Sequence, residues 1–467
     1  MSDAPVTITW QTNGVAPTSP LMKPLENEIA TYEKSHPNVH VQWVQTNLAG
    51  NDQEAYLTTN AAGGKVPDVT TENWATVLAG AIPNGILTNL MPFLQRPNPY
   101  VKGNKKWLDT WQSTVLPNME ISKSKVELIV GSNVETGIFY NKKLFAEAGI
   151  TGTPSNWAQW VADMAKLKAK GITPFIFGTG GNCNPSWYER NFESQLLNKS
   201  FQKFDPDRST LQTSSLDVAV GIEKGIISMK NPAYAEGWKL LASLKPYLAP
   251  GASTYDGCAA SNATTPPLSG DTPLVQGKVA MIYATTNEIP TLDADGFKGK
   301  YGLFAFPQIS SATTSFSPNV QQKGSVGGPN GPGLLAIPTQ KADQSMTPTK
   351  LKQVIDLVQY LYAPQNEGQW VNGLAEGSEP PLIKGAQTDN VPGLKTLQPT
   401  GTPPPVIQGV TNGTLTPGSG DDSLRLVQAY LGGTMSYAQF ARQWDKVLQE
   451  GAQQWAAANK VNLTKYK

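Results

Sequence analysis

Only two histidines and two cysteines occur in the 467 residues, so few side chains here can do covalent chemistry. His36 stands before a proline at a helix exit and His40 alternates out of a strand, so both read as solvated surface groups. With no other histidine, composition argues against a Ser-His-Asp or Cys-His nucleophile and against a His-based zinc site. G-x-S-x-G, a P-loop lysine motif and H-E-x-x-H are all missing from the sequence. The nearest glycine-rich string, Gly178-Thr179-Gly180-Gly181-Asn182-Cys183, lacks the last glycine of a dinucleotide fingerprint and has no clear helix behind it. No metal and no cofactor are expected. Paired carboxylates of the glycosidase kind stay open, with Glu135, Glu376, Glu379, Asp421 and Asp422 as candidates, although no spacing forces two of them together.

The elements that must position any such group follow from periodicity. Val6–Trp10 alternates and is β-branched. Leu21, Leu25, Ile29 and Tyr32 recur at helical spacing up to Pro37, and Val39, Val41 and Trp43 alternate again. A helix-like stretch over 52–62, Gly63-Gly64 and a short strand from Pro67 complete a β-α-β-α-β rhythm. That rhythm predicts a parallel sheet covered by helices, with ligands at the carboxyl ends of its strands. Two strand-like runs flank Gly131–Gly137. A helix capped by Thr153 with Pro154 at its first position carries the stripe Trp157, Trp160, Val161, Met164 and Leu167 to Gly171. Strands are expected at 172–177, 279–283 and 333–337, and helices at 351–362 and from the Ser436/Gln439 capping-box pattern onward. Three stretches rich in Gly, Pro, Ser, Thr and Asn, at 249–273, 307–333 and 396–422, read as long surface loops.

Composition narrows the partners. A net charge of +1 argues against nucleic acid or an anionic membrane as the main partner. Charged residues at 16%, against roughly 25% in average soluble proteins, are few, whereas 43 glycines and 37 prolines are many. No apolar run approaches the roughly 18 residues of a membrane span. No signal peptide is legible, and the loop-like start at Met1 reads as the scar of a removed export signal, so an extracytoplasmic chain is expected. Cys183 and Cys258 both sit in loop sequence, which favours a disulfide between them over two unrelated buried thiols.

Six blocks, in order along the chain, resemble the extracellular solute-binding proteins of bacterial ABC transporters, in the carbohydrate-binding (family 1, maltose-binding-like) group. They are Ile8-Thr9-Trp10 with Tyr32-Glu33-Lys34-Ser35-His36-Pro37-Asn38-Val39; Gly64-Lys65-Val66-Pro67-Asp68-Val69; and Tyr140-Asn141-Lys142-Lys143-Leu144-Phe145-Ala146-Glu147-Ala148-Gly149 through Trp157 to Gly171-Ile172-Thr173-Pro174. Gln276-Gly277-Lys278-Val279-Ala280-Met281, Leu335-Ala336-Ile337-Pro338, and the helix after Lys350 leading to Trp370 and Pro380-Pro381-Leu382 follow. One departure stands out: where the family carries a Gly and then a sugar-stacking Trp after this Met, the chain has Ala284-Thr285-Thr286-Asn287.

The resemblance implies an α/β, two-lobe periplasmic-binding-protein fold (type II), with central sheets flanked by helices and a ligand cleft at a hinge crossed three times. Crossings are expected near Ser132–Glu135, Tyr283–Thr286 and Leu335–Thr339. The N-lobe would be 1–132 and 287–335, and the C-lobe 133–286 and 336–467. It also implies a monomer that closes on a small carbohydrate and hands it to the permease of an ABC importer, without catalysis. A sugar cleft needs fixed amide, carboxyl and hydroxyl groups for ring hydroxyls and aromatic faces for C–H surfaces. Gln11, Asn13, Asn47, Asp68, Asn73 and Trp74 follow the first strands, with Trp74 as the stacking candidate. Asn133 and Glu135 lie at the first crossing. Trp187 and Tyr188 form an aromatic platform in this reading. Thr286 and Asn287 replace the family's Trp, and Gly328 and Asn330 make a turn before the last crossing. Asp68 is read equally well as a cap for the turn behind it. A polyol or glycerophosphodiester on the same fold, or a carboxylate glycosidase or lyase, are the competing readings.

Overall fold

Alternation of Val6, Ile8 and Trp10 with Thr7 and Thr9 builds the first strand, and Val39–Thr46 alternates likewise, whereas the short strands Leu128–Val130, Thr136–Asn141 and Met281–Thr285 are buried nearly throughout. The computed structural model describes residues 5–13, 22–46, 48, 50–73, 81–82, 84–112, 125–181, 183–205, 213–257, 271–286, 288–320, 326, 330–367, 370, 381–386, 394–397 and 405–467. The strands are β1 (Val6–Asn13), β2 (Val39–Thr46), β3 (Val69–Asn73), β4 (Leu128–Val130), β5 (Thr136–Asn141), β6 (Phe175–Ile176), β7 (Met281–Thr285), β8 (Tyr301–Phe304) and β9 (Asn330–Ala336). The helices used below are α1 (Lys23–Ser35), α2 (Gly50–Ala62), α3 (Trp157–Ala169), α4 (Cys183–Leu196), α5 (Pro232–Ser243), α6 (Pro348–Leu361), α7 (Pro417–Leu431) and α8 (Tyr437–Ala458).

The chain divides into two compact units, Met1–Val134 with Gly328–Val391 and Glu135–Gly327 with Pro392–Lys467. The first holds a sheet in the order β2-β1-β3-β9-β4 and the second a sheet in the order β6-β7-β5-β8. The boundaries read from the sequence at 286/287 and 335/336 therefore move. Residues 287–327 belong to the second unit because β8 pairs with β5, Ile138 opposite Phe304. Residues 336–391 belong to the first because α6 packs its apolar stripe, Val354, Leu357, Val358 and Leu361, into the first unit's core.

In the first unit β1 runs parallel to β2 and β3, and β9 returns antiparallel between β3 and β4. Its core joins Trp10, Trp107, Trp111, Tyr362 and Trp370. Trp370 donates from Nε1 to the Leu361 carbonyl at 2.9 Å, a packed role. In the second unit β6 runs parallel to β7. Around that sheet an aromatic core centres on Trp238, edge-on to Trp444 at 4.4 Å.

Local chemistry sets the helix ends, and two differ from expectation. Asn156 caps α3: extended at φ −143° and ψ 166°, it accepts from the Gln159 amide, so Thr153 and Pro154 stay outside the helix. The third loop-like stretch, 396–422, ends in helix. Thr416 caps α7 in a capping box with Ser419, and Pro417 suits the first turn, so a Gly/Ser/Asp-rich string becomes helical. The Ser436/Gln439 box opens α8 as the pattern implies. His36 is a correction of another kind. Its ring stacks on Tyr32 at 4.0 Å, and Nε2 lies 3.6 Å from Asp356 Oδ2, which also accepts from the Tyr32 and Tyr100 hydroxyls. Packing against α6, invisible in a local pattern, leaves it half-buried. Among the described residues no helix is long and apolar enough to cross a membrane.

Candidate functional site

In the first unit the carboxyl ends of β1 and β2 carry the polar residues that the sequence singles out. Gln11 is fully buried, and its Nε2 donates to Thr46 Oγ1 at 2.6 Å and to Gln53 Oε1 at 3.4 Å. Gln53 in turn donates to the Thr71 carbonyl at 3.4 Å. Strand ends and the first turns of α2 are thus joined by amides and hydroxyls with no charge. Asn13 stands opposite Thr46 in the β1–β2 ladder, and Asn73 stands opposite Asn330 in the β3–β9 pair. The ladder thereby brings two of the chosen asparagines, far apart in sequence, to one sheet edge. Asn47, Trp74 and Gly328 lie outside the described residues.

Asp68 does not join that edge. It precedes β3 at the strand's amino end and is fully buried. Its Oδ2 accepts from the Thr9 amide at 2.7 Å and the Thr9 hydroxyl at 2.8 Å, and Lys350 Nζ sits 2.7 Å from Oδ1. The carboxylate ties β1, β3 and α6 together. Asp343 lies beside it, and burial with the Asp68 contact pushes its carboxyl above the usual range.

In the second unit the carboxyl ends of β6 and β7 form the corresponding edge. Thr286, fully buried, donates its amide to the Glu135 carbonyl at 2.9 Å and accepts from the Glu135 amide on its hydroxyl at 3.3 Å. Two chosen residues are thus clamped together where β7 ends and β5 begins. Asn133 is buried on the segment leaving β4, and Asn287 lies outside the described residues. Asp421 and Asp422 are exposed on α7 and Glu135 is buried, while Glu376 and Glu379 lie outside the described residues.

The aromatic platform is overturned. Tyr188 is buried, donates its hydroxyl to the Gly237 carbonyl at 2.6 Å, and packs edge-on to Phe177 and Phe306. Trp187 is also buried, edge-on to Tyr283 at 5.5 Å. The reason is that α4 is enclosed on every side, with each residue from Asn184 to Leu196 buried. Both rings pack as core side chains.

The Gly178–Gly181 string does different work from a nucleotide loop. Gly180 donates its amide to the Tyr255 carbonyl at 2.8 Å. A Cβ would meet Tyr255 O at 2.4 Å on Gly178, Thr254 O at 2.6 Å on Gly180 and Asp256 Oδ1 at 2.6 Å on Gly181. Only glycine lets the loop after β6 lie flat against the 251–257 segment. Cys183, which opens α4 behind this loop, is disulfide-bonded. Cys258, the chain's other cysteine, lies outside the described residues.

Two sets of acids escaped the sequence reading. At the β7 edge Glu288 is 8% exposed, and burial together with Asp271 pushes its carboxyl up to about 8. Tyr255, held well above the usual tyrosine range by burial, lies in the field of Glu288, Asp271 and Asp256. Inside α4, Glu189 accepts on Oε2 from the Thr411 amide and hydroxyl at 3.0 and 2.6 Å. Glu193, one helical turn on, faces Glu189 and Tyr234, and burial raises both carboxyls. Arg190 donates Nη1 to the Val326 carbonyl at 2.7 Å, and burial lowers it to about 10. Ser194 and Gln195 accept from the amides of Ile407 and Ile309. A polar helix so enclosed organises the long loops, and only its E-R-N-F-E-S-Q polarity inside an apolar neighbourhood hinted at it. Among the described residues no group of three or more His, Cys, Asp or Glu side chains is placed to hold a metal ion.

Two α/β units, each with polar residues at the carboxyl ends of its parallel strands, define a binding scaffold. The profile of the bacterial extracellular solute-binding proteins matches residues 15–368, and the chain belongs to that family. The fold is shared with a chitin oligosaccharide binding protein at TM-score 0.64 and 19% identity, covering 97% of this chain and 100% of that one. It is shared also with the cyclic alpha-maltosyl-1,6-maltose binding protein from Arthrobacter globiformis, at TM-score 0.66 and 14% identity over 97% and 100% of the two chains. A protein of Brucella abortus, named from its own similarity to binding proteins, is 48% identical over 44 residues, which is 9% of this chain and 11% of that relative's length.

Proposed function

We propose that this chain is the carbohydrate receptor of an ABC importer: it captures an uncharged mono- or oligosaccharide outside the cytoplasm and delivers it to the membrane permease, with no bond made or broken. The observation that carries this reading is the set of side chains at the strand ends. Gln11, Thr46 and Gln53 in one unit and Thr286, held to the Glu135 backbone, in the other are amide and hydroxyl hydrogen-bonding groups. Such groups suit ring hydroxyls. The sugar-binding proteins that share the fold support the same ligand class.

Arg190 bears on the competing ligand. A phosphodiester calls for a cation, and the arginine nearest the expected wall is buried and holds the Val326 carbonyl. That favours an uncharged ligand. Thr286 and Asn287, in place of the family's stacking Trp, favour a small or strongly hydroxylated one. The disulfide at Cys183 suits an oxidising compartment.

Thermal-shift screening of neutral mono- and oligosaccharides tests the reading. A ligand at 100 times its Kd adds about 2.7 kcal/mol and raises Tm measurably. Stabilisation by a glycerophosphodiester or an amino acid, with none by any sugar, sinks the carbohydrate assignment.

A further inference from the structure

Glu288 is a buried acid at the end of β7. It follows β7 by three residues and is 8% exposed. Among the described residues its side chain makes no hydrogen bond and no ion pair. The groups facing it are themselves acidic or phenolic: Asp271, at the turn before the short helix Thr272–Val275, and Tyr255, which Asp256 also influences. On its own side of the sheet edge stand Thr286 and Glu135, clamped to each other. A buried, unpaired carboxylate is costly, and a carboxyl in such surroundings keeps its proton.

We propose that Glu288 is a ligand-reading carboxylic acid, which donates its O–H to an oxygen of the bound sugar and so ties ligand capture to a bound proton. This rests on the carbohydrate reading above and adds a regulation to it. The geometry supplies the donor: an acid at the carboxyl end of a parallel strand, next to the Thr286 clamp, whose side chain makes no hydrogen bond among the described residues. The electrostatics supplies the proton, because burial and Asp271 hold the carboxyl near 8. A neutral sugar then binds the protonated form. Hydrogen bonding to that form favours it further, so ionisation above about pH 8 removes the donor and sets a negative charge against the ligand's lone pairs.

The sign of the linkage follows. Affinity for a neutral sugar is flat below about pH 8 and falls above it, by about tenfold per pH unit once the acid ionises in the free protein. An aminated ligand behaves oppositely, because its ammonium group ionises Glu288 and expels the proton.

Isothermal titration of the full chain with the neutral sugar returned by the thermal screen, in steps from pH 6 to pH 10, reads this directly. The wild type is expected to show the break near pH 8 with proton uptake above it. Glu288→Gln, which keeps a donor and cannot titrate, is expected to bind with no break across the same range. Thermal melts of both proteins at each pH establish that they are folded. A wild-type Kd that stays constant to pH 10, a slope that survives in Glu288→Gln, or proton release on binding overturns the proposal and leaves the receptor reading standing. A chain that binds no sugar at any pH defeats both.

Discussion

In the first unit, the buried polar groups that join β1 to its neighbours are matched by a counter-charge or by amides. Asp68 meets Lys350 and Thr9, and Gln11 meets Thr46 and Gln53. The second unit buries acids beside acids: Glu189 beside Glu193 on α4, and Glu288 beside Asp271 at the β7 edge. Its buried arginine on α4 points to a backbone carbonyl. Around β1 and β3 charge is thus met by charge, with Asp343 and the buried Glu367 of the same unit held above the usual carboxyl range, whereas on α4 and at the β7 edge the acids are neutralised by protons. The lesson is that two sheets of similar plan can depend on pH very differently. A counter-charged pair fails when a partner is removed, whereas a proton-neutralised pair fails when the proton leaves.

The comparison breaks most sharply at Asp68. Asp68→Ala strands a largely buried Lys350 ammonium and releases the Thr9 amide and hydroxyl, and is expected to cost about 3–5 kcal/mol in denaturant unfolding. A loss below 1 kcal/mol, on the order of a surface pair, would mean that the ion pair does not hold β1 to β3.

Glu193→Gln probes the second unit with the opposite sign. An unfolded Glu titrates near about 4.3, and the folded carboxyl lies well above that, held up by burial and by Glu189. Between those two values unfolding releases a proton, so stability contributed by the protonated acid is full below the unfolded value and is lost as pH rises. Relative to wild type, the glutamine variant is expected to gain up to about 1.4 kcal/mol per pH unit over that window. Denaturant melts at pH 4, 6 and 8 measure it, and a difference that does not change with pH removes the proton from the account.

Gln11→Leu is the smaller, pH-flat counterpart in the first unit. Losing its bonds to Thr46 and Gln53 is expected to cost about 1–3 kcal/mol, equal at pH 5 and pH 8. A pH slope here would erase the contrast between the units. Smallest is Ser436→Ala, which removes the cap from the Gln439 amide at the start of α8 and is expected to cost about 1 kcal/mol at every pH. A Tm unchanged within error would show that the rest of α8 holds its first turn unaided.

Much of this was legible in local pattern. The alternation of Val39 and Val41 with His40 and Gln42 reappears as the buried and exposed faces of β2. Apolar spacing on α3 and α6 reappears as buried Trp157, Trp160 and Met164 and as buried Val354 and Val358. The candidate site was legible in part. Gln11 and Thr286 do stand at strand ends, because a residue's place after a strand is a local property. Trp187 and Tyr188 went the other way, because whether an aromatic is a platform or a core depends on what covers it. Here the loops 307–333 and 396–422 supply amides to Gln195, Ser194 and Glu189 and close over α4. Glycines 178, 180 and 181 were visible as a string, yet their purpose depended on a segment some seventy residues away.

By itself the sequence determined the elements, their alternation and the scarcity of covalent chemistry, since strand period, helix period, caps and residue inventory are all set by near neighbours. Only the tertiary structure decided which unit residues 287–327 and 336–391 join, that Asp68 is a pin, that His36 is half-buried against Asp356, and that α4 is a buried polar helix. Each of these turns on contacts between segments distant in the chain. Burial and the field of a neighbouring carboxylate, the quantities that keep Glu288 protonated, exist only once those segments meet.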